Sequence, residues 1–306
     1  MTDKRRDQLI FFEYFMLSGV AAVVSKTATA PIDRVKLLVQ CQGEMLKQGV
    51  LDRPYKGILD CARRTMAREG LLSFWRGNLA SVLGPFPAQA LNFALKDTIK
   101  AMFNTPKNAS YTKKVAKNIL SGSCAGSMTL TFLYPLDYAR TRLANDVKSG
   151  KNGSSERKFN GMIDVYGKTL KSDGIRGVYR GFVISCGGIF IYRGIYFGLY
   201  DSLKPILKRE NTNMFYSFIL GYGVTLTAGL ICYPMDTIKR RMMMTSGEAK
   251  KYKNSLDCGV QILKNEGFMA MMKGASIHII RSVAGAGVLI GFDTYKGIYT
   301  GWRAGS

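Results

Sequence analysis

The chain has 306 residues, 47% of them hydrophobic, with 44 Lys and Arg against 21 Asp and Glu and a formal net charge of +23. That charge calls for an anionic partner. The bases run through the whole chain without zinc-finger spacing or an RNA-binding motif, which argues against a nucleic-acid reader and leaves acidic lipid headgroups or an anionic substrate in a basic cavity.

The six cysteines, Cys41, Cys61, Cys124, Cys186, Cys232 and Cys258, form no C-x-x-C, and several lie inside apolar runs. They read as packing thiols of a reducing compartment, not as a disulfide or metal framework. Lys4-Arg5-Arg6 is followed by no apolar stretch ending in a small-residue cleavage site, so neither a secretory signal nor a long presequence is expected.

In chain order, the first predicted element is an apolar helix over 9–40. A linker over 43–54, expected to be mobile, leads to an amphipathic stretch over 56–67 with Ile58, Leu59 and Met66 at helical spacing, then to a second apolar helix over 78–102. The order returns as a helix over 113–143, a mobile linker over 146–158, an amphipathic stretch over 160–170 and a helix over 182–207. It returns again as 213–244, 255–265 and 275–299. The short stretches are read as helices lying along a membrane surface. None of the six long segments is a clean run of about 20 apolar residues, and mean hydropathy is −0.01.

A repeat underlies this order. Pro31-Ile-Asp33-Arg-Val-Lys36, Pro135-Leu-Asp137-Tyr-Ala-Arg140 and Pro234-Met-Asp236-Thr-Ile-Lys239 close the three odd helices. Each is followed by an acid-glycine pair and a base-glycine pair: Glu69-Gly70 to Trp75-Arg76-Gly77, Asp173-Gly174 to Tyr179-Arg180-Gly181, Glu266-Gly267 to Met272-Lys273-Gly274. Both phrases shift by 104 residues from the first copy to the second (Pro31 to Pro135, Glu69 to Asp173), and by 99 and 93 to the third. Soluble solenoid repeats run about 20–50 residues, so a soluble helical repeat is the weaker alternative. The expected organisation is one domain over 1–306 with repeats over 9–104, 111–209 and 213–302.

Proline inside a helix removes a hydrogen bond and kinks it. Three equivalent kinks would draw three helix ends to one axis. Pairing at i, i+3 within one helix contributes only a few tenths of a kcal/mol, whereas converging helices let each acid (Asp33, Asp137, Asp236) meet the base of another (Lys36, Arg140, Lys239). Such a ring can open and close. Small residues upstream, Ser18-Gly19, Gly122-x-x-x-Gly126 and Gly221-x-Gly223, would allow close helix approach. No enzyme constellation is present: His278 is the only histidine, and there is no G-x-S-x-G and no Walker loop. No cofactor or metal is expected, and the work must be binding and conformational change.

These repeats resemble the mitochondrial carrier family along nearly the whole chain. Lys239-Arg240-Arg241-Met242-Met243-Met244, Ser25-Lys26-Thr27-Ala28, Phe74-Trp75-Arg76-Gly77-Asn78-Leu79-Ala80 and Ala88-Gln89-Ala90-Leu91-Asn92-Phe93 are similar to the members that exchange ADP and ATP. The resemblance implies an all-α protein of the mitochondrial inner membrane, imported by internal signals: six transmembrane helices in three tandem repeats with pseudo-threefold symmetry, plus three short amphipathic surface helices. Each span would show lipid on one face and a water-filled cavity on the other, with polar residues marking the cavity. The proline-end ring would be the matrix gate. Asp97 with Lys100, Asp201 with Lys204 and Asp293 with Lys296 would be the cytosolic gate, and two such gates give alternating access. Between them Lys26 and Arg281 would meet phosphates, with Arg193 in the same basic lining. Gly188, Ile189 and Tyr192 would take the adenine, where stacking contributes roughly 1–3 kcal/mol. Arg240 and Arg241 would line the cavity floor, suited to phosphate by their planar forks.

The resemblance has departures. Those carriers place an arginine where this chain has Gly84, followed by Pro85; Met272 replaces an aromatic, His278 an asparagine, and Lys239 opens the arginine run. A carrier of a related nucleotide, or a carrier fold serving as a structural subunit beside other inner-membrane complex subunits, is the alternative that Gly84 motivates. Gly57, Gly161, Gly77, Gly181 and Gly274 near helix starts offer backbone N–H groups to phosphate. The resemblance implies cardiolipin there, while helix punctuation accounts for the glycines equally.

Overall fold

The computed structural model describes residues 3–102, 110–148, 157–207, 214–249 and 252–284. Among them every regular element is helical and no strand occurs. In order these are α1 (Asp3–Lys47), α2 (Ile58–Glu69), a 3-10 turn (Leu71–Trp75), α3 (Asn78–Leu83), α4 (Pro85–Met102), α5 (Tyr111–Ala144), α6 (Met162–Val178), α7 (Phe182–Leu207), α8 (Met214–Met244), α9 (Ser255–Glu266), α10 (Phe268–Met271) and α11, described over 275–284.

The long helices α1, α5 and α8 carry Pro31, Pro135 and Pro234 in their interiors. Each of the three contacts the other two, and α7 packs on both α5 and α8. Three apolar clusters hold one end of the molecule, each joining the last turns of a long helix to the short helix that follows it. Leu38, Cys41 and Met45 pack with Cys61; Tyr134 and Tyr138 with Val165; Ile238 and Met242 with Cys258 and Ile262. Towards the other end the apolar residues face outward instead: Val24, Phe132 and Ile231 are 52%, 63% and 54% exposed. Leu59, Ile163 and Leu256, at equivalent places on α2, α6 and α9, are also exposed. Of the described helices, the stretch Phe182–Tyr200 of α7 is long and apolar enough to cross a membrane by length and composition.

Three expectations are corrected. The linker over 43–54 is not loose: α1 continues to Lys47, and Leu51 and Tyr55 are buried, because Met45 and its neighbours complete the first apolar cluster. In the linker over 146–158, Asp146 and Val147 are buried, while 149–156 lie outside the described residues. The upstream glycines of the second repeat admit side chains, not a neighbouring backbone. A Cβ at Gly122 would stand 2.9 Å from Arg193 Nη1, and one at Gly126 would stand 3.1 Å from Ile189 Cγ2. A Cβ at Gly19 would meet the Phe86 ring, and none would meet anything within 4 Å at Gly221 or Gly223.

Gly77, Gly181 and Gly274 each have positive φ, at +82°, +85° and +87°. Each also lies against the proline-bearing helix of another repeat. A Cβ would stand 3.0 Å from Arg140 O, 3.0 Å from Lys239 O, and 3.4 Å from Lys36 O, respectively, and the one at Gly274 would also meet Tyr233 Oη of its own repeat at 2.8 Å. Glycine is required there by backbone conformation and by close approach together.

Candidate functional site

The proline ends of α1, α5 and α8 form a closed ring of ion pairs. Lys36 Nζ is 3.3 Å from Asp236 Oδ2, Arg140 pairs with Asp33, and Lys239 pairs with Asp137. Every acid is therefore held by a base from another repeat. Gln40, one turn beyond Lys36, donates to Asp236 at 3.2 Å and to Thr237 Oγ1 at 2.9 Å. Lys36 also sits over the Tyr233 ring and Lys239 over the Tyr134 ring, 5.0 and 5.3 Å from their centroids. Those tyrosines precede two of the prolines. Their hydroxyls donate to Lys273 O and Arg180 O, tying the ring to the base-glycine phrases.

Arg240 belongs to this ring. Its Nε donates to Asp236 at 3.1 Å, and its Nη1 donates to Thr141 Oγ1 at 3.0 Å and lies 3.7 Å from Asp137. Arg241 does not, contrary to expectation. It turns to the opposite side, fully buried, and donates to Glu266 at 2.5 and 2.8 Å. Adjacent residues on a helix do not share a face.

A second layer of arginines joins the repeats outside the ring. Arg34 donates to Ala144 O at 3.1 Å and to Glu69 at 2.9 Å, and Arg157 also donates to Glu69, at 3.1 Å. Arg142 donates to Met244 O and lies 3.6 Å from Glu248. Arg76 pairs with Asp146, and Arg180 donates to Tyr252 O. These bonds were not read from the sequence. Their one signal was the acid-glycine phrase, whose acids Glu69 and Glu266 take arginines.

Above the ring opens a cavity of about 600 Å³. Gly188, Ile189, Tyr192 and Arg193 form its wall and Asp236 and Lys239 its floor. A Cβ at Gly188 would meet nothing within 4 Å, so a flat ligand has room against the backbone. Tyr192 begins a stack along α7: its ring is 6.2 Å from Tyr196, which is 6.1 Å from Tyr200. Lys26 on α1 and Arg281 on α11 stand elsewhere, around Asp33. Arg281 Nε pairs with Asp33 Oδ1, and Lys26 is within electrostatic reach of Arg281, Arg140, Asp33 and Asp137.

Of the expected second gate, the side chains of Asp97, Lys100, Asp201 and Lys204, and all of Asp293 and Lys296, lie outside the described residues. Gly57 and Gly161 precede α2 and α6, and a Cβ at either would meet nothing within 4 Å. The third equivalent place is Asn254, whose side chain accepts from Asp257 N at 2.8 Å. Among the described residues no group of three or more His, Cys, Asp or Glu could hold a metal ion.

The family model described as mitochondrial carrier protein matches residues 7–107, 111–211 and 210–302. ADP,ATP carrier protein 2, mitochondrial, of Arabidopsis thaliana is 59% identical over 295 residues, covering 95% of this chain and 77% of that one. The ADP,ATP carrier protein of Chlamydomonas reinhardtii is 55% identical over 303 residues, covering 98% of each. ADP,ATP carrier protein 1, mitochondrial, of Triticum aestivum is 58% identical over 295 residues, covering 95% of this chain and 89% of its own.

Proposed function

This chain belongs to the mitochondrial carrier family, and we propose that it exchanges ADP for ATP across the mitochondrial inner membrane by opening and closing an ion-pair ring beneath a nucleotide cavity. The observation that carries this is the ring itself: three acids and three bases, each pair crossing between repeats, at the floor of a cavity with a glycine-and-tyrosine wall.

In this reading the purine enters against Gly188 and Ile189 and stacks on Tyr192. Its phosphates turn to Lys26 and Arg281, with Arg193 adding positive charge. Arginine suits this because its fork holds phosphate oxygens in pairs. Glycine at 84 leaves the α3–α4 side without a cation at that level, so Lys26 and Arg281 carry the phosphate work. The ring is the matrix gate, and its closure leaves the cavity open to the cytosolic side. Asp97, Lys100, Asp201, Lys204, Asp293 and Lys296 form the opposing gate.

On this reading the six spans are α1, α3 with α4, α5, α7, α8 and the helix that begins with α11, and α2, α6 and α9 lie along the matrix surface. The outward apolar residues Val24, Phe132 and Ile231 suit lipid tails, and Leu59, Ile163 and Leu256 suit the interface. The open helix starts at Gly57 and Gly161 suit the phosphates of cardiolipin. Thermal unfolding of the purified protein tests the site. ADP and ATP should raise the midpoint, and Arg281→Ala should abolish the rise. A midpoint indifferent to both nucleotides, or an undiminished rise in the variant, would contradict it.

A further inference from the structure

Each interior proline deprives one carbonyl of its helical partner. Proline has no N–H, so the carbonyl four residues earlier loses its donor. For Pro31 that carbonyl is Thr27 O, for Pro135 it is Thr131 O, and for Pro234 it is Leu230 O. Two of the three are met by a side chain from the base-glycine phrase of the same repeat. Trp75 Nε1 donates to Thr27 O at 2.9 Å, and Tyr179 Oη donates to Thr131 O at 2.9 Å. Asn78 adds a bond to the Thr27 hydroxyl, at 3.2 Å. In the third repeat the corresponding residue is Met272, whose thioether has no hydrogen to donate. Its surroundings still follow the pattern. Tyr233 donates to Lys273 O as Tyr134 donates to Arg180 O, and Gly274 has the positive φ of Gly181.

We infer that Trp75 and Tyr179 are positioning residues of the ion-pair ring, each capping the carbonyl that its repeat's proline frees, and that Met272 leaves the third kink without this cap. This rests on the membrane placement above and not on the nucleotide. The freed carbonyls belong to the outward side of the long helices: Thr131 is exposed beside Phe132, and Ile231, next to Leu230, is 54% exposed. In hydrocarbon no water replaces a missing donor, so a proline in a spanning helix is tolerated where a side chain or a neighbouring helix satisfies the freed group. A hydrogen bond also weakens steeply when misaligned, so a donor held by the next element favours one angle of the kink. The turns beyond the kink carry the ring: Asp33 and Asp137 stand two residues past their prolines. The donor, not the ring of the aromatic, does this. Tyr179 packs on Tyr134 and Phe182 with centroids 5.7 Å from each, contacts that a phenylalanine would keep.

The test is thermal unfolding of the full chain purified with cardiolipin and no nucleotide. Tyr179→Phe removes the donor and should lower the midpoint by about 2–4 °C; an unchanged midpoint would overturn the cap. Met272→Tyr should unfold at a higher temperature than Met272→Phe, from which it differs by the hydroxyl. Equal midpoints would overturn the missing cap of the third repeat. Positioning of the ring is read by a double-mutant cycle of Tyr179→Phe with Asp137→Asn. With that corner already broken, loss of the cap should cost less than half as much, whereas effects that add would reduce the cap to a local bond and overturn its positioning role. Should Asp137→Asn fail to fold, Lys239→Gln breaks the same corner. Exchange is measured separately: these differences in a protein that exchanges no ADP would overturn the nucleotide and leave the caps standing.

Discussion

Arg241 grips Glu266 through two hydrogen bonds of 2.5 and 2.8 Å, and Gly43 on α1 gives the pair its room. A Cβ at residue 43 would stand 2.6 Å from Glu266 Oε2 and 2.9 Å from both terminal guanidinium nitrogens. The pair joins α8 to α9 and presses both against the first repeat. Gly43→Val should therefore destabilise the protein by about 1–3 kcal/mol, the usual cost of overpacking. An unchanged unfolding midpoint would show that the pair moves aside freely.

The same pair gives a pH dependence. Burial works against the charge on Glu266, but Arg241 and Lys47 outweigh it and hold the carboxyl below its ordinary value of 4.5. A carboxyl depressed by folding contributes stability that is full above its unfolded pKa and is lost as pH falls through the folded one. Acidification below about pH 4.5 should lower the midpoint. Glu266→Gln should start lower at neutral pH, because it leaves the buried Arg241 with only the more distant Glu44, at 3.7 Å, as a charged partner. It should then fall less on acidification than the parent. Parallel pH profiles for the two would exclude Glu266 as a contributor.

Cys61 and Cys258 occupy equivalent places on α2 and α9, and burial pushes both thiols up to about 12. The thiolate is the reactive form. A maleimide at pH 8 should leave both unmodified in the folded protein and label both after denaturation, as read by mass spectrometry. Labelling of either in the folded state would contradict the packing of its short helix.

Much of this arrangement was legible in the sequence, because the repeat supplies geometry as well as chemistry. Three prolines with an acid and a base at fixed offsets led to the cross-repeat pairs, and each pair is present. Gln40 could have been read too: it stands four residues beyond Lys36, one helical turn on. The direction of Arg241 was equally available, since neighbours in a helix point about 100° apart. Other features were hidden. Gly43 interrupts the apolar pattern and hides the rest of the helix, although Glu44 to Lys47 are good helix formers and the cluster around Met45 and Leu51 fixes them. The glycines at 77, 181 and 274 read equally as lipid contacts and as helix punctuation; their positive φ and their contact with another repeat come from tertiary packing. The partition of Asp33 between Arg140 and Arg281 depends on which helices converge, which one chain's spacing does not state.

Gly84 stands where the resemblance expects an arginine. Its backbone is helical, and a Cβ there would meet only Ser81 O and Ala80 O, at 3.7 and 3.8 Å. The backbone there accepts a Cβ without a clash. Gly84→Arg should raise the affinity for ADP, roughly tenfold if one charge-assisted hydrogen bond to phosphate of about 1.5 kcal/mol forms. Titration of the thermal midpoint with ADP measures it, and an affinity unchanged or lowered would mean that position 84 does not face the phosphates.

The central claim is exchange through a gated cavity, and the most direct measurement is counter-exchange of labelled ADP against internal ATP in cardiolipin-containing liposomes. The parent protein should exchange, and Arg281→Ala should lose that exchange while remaining folded. Folded parent protein that exchanges neither nucleotide would contradict the account, and would turn attention to Gly84 and to a structural role within a larger membrane assembly.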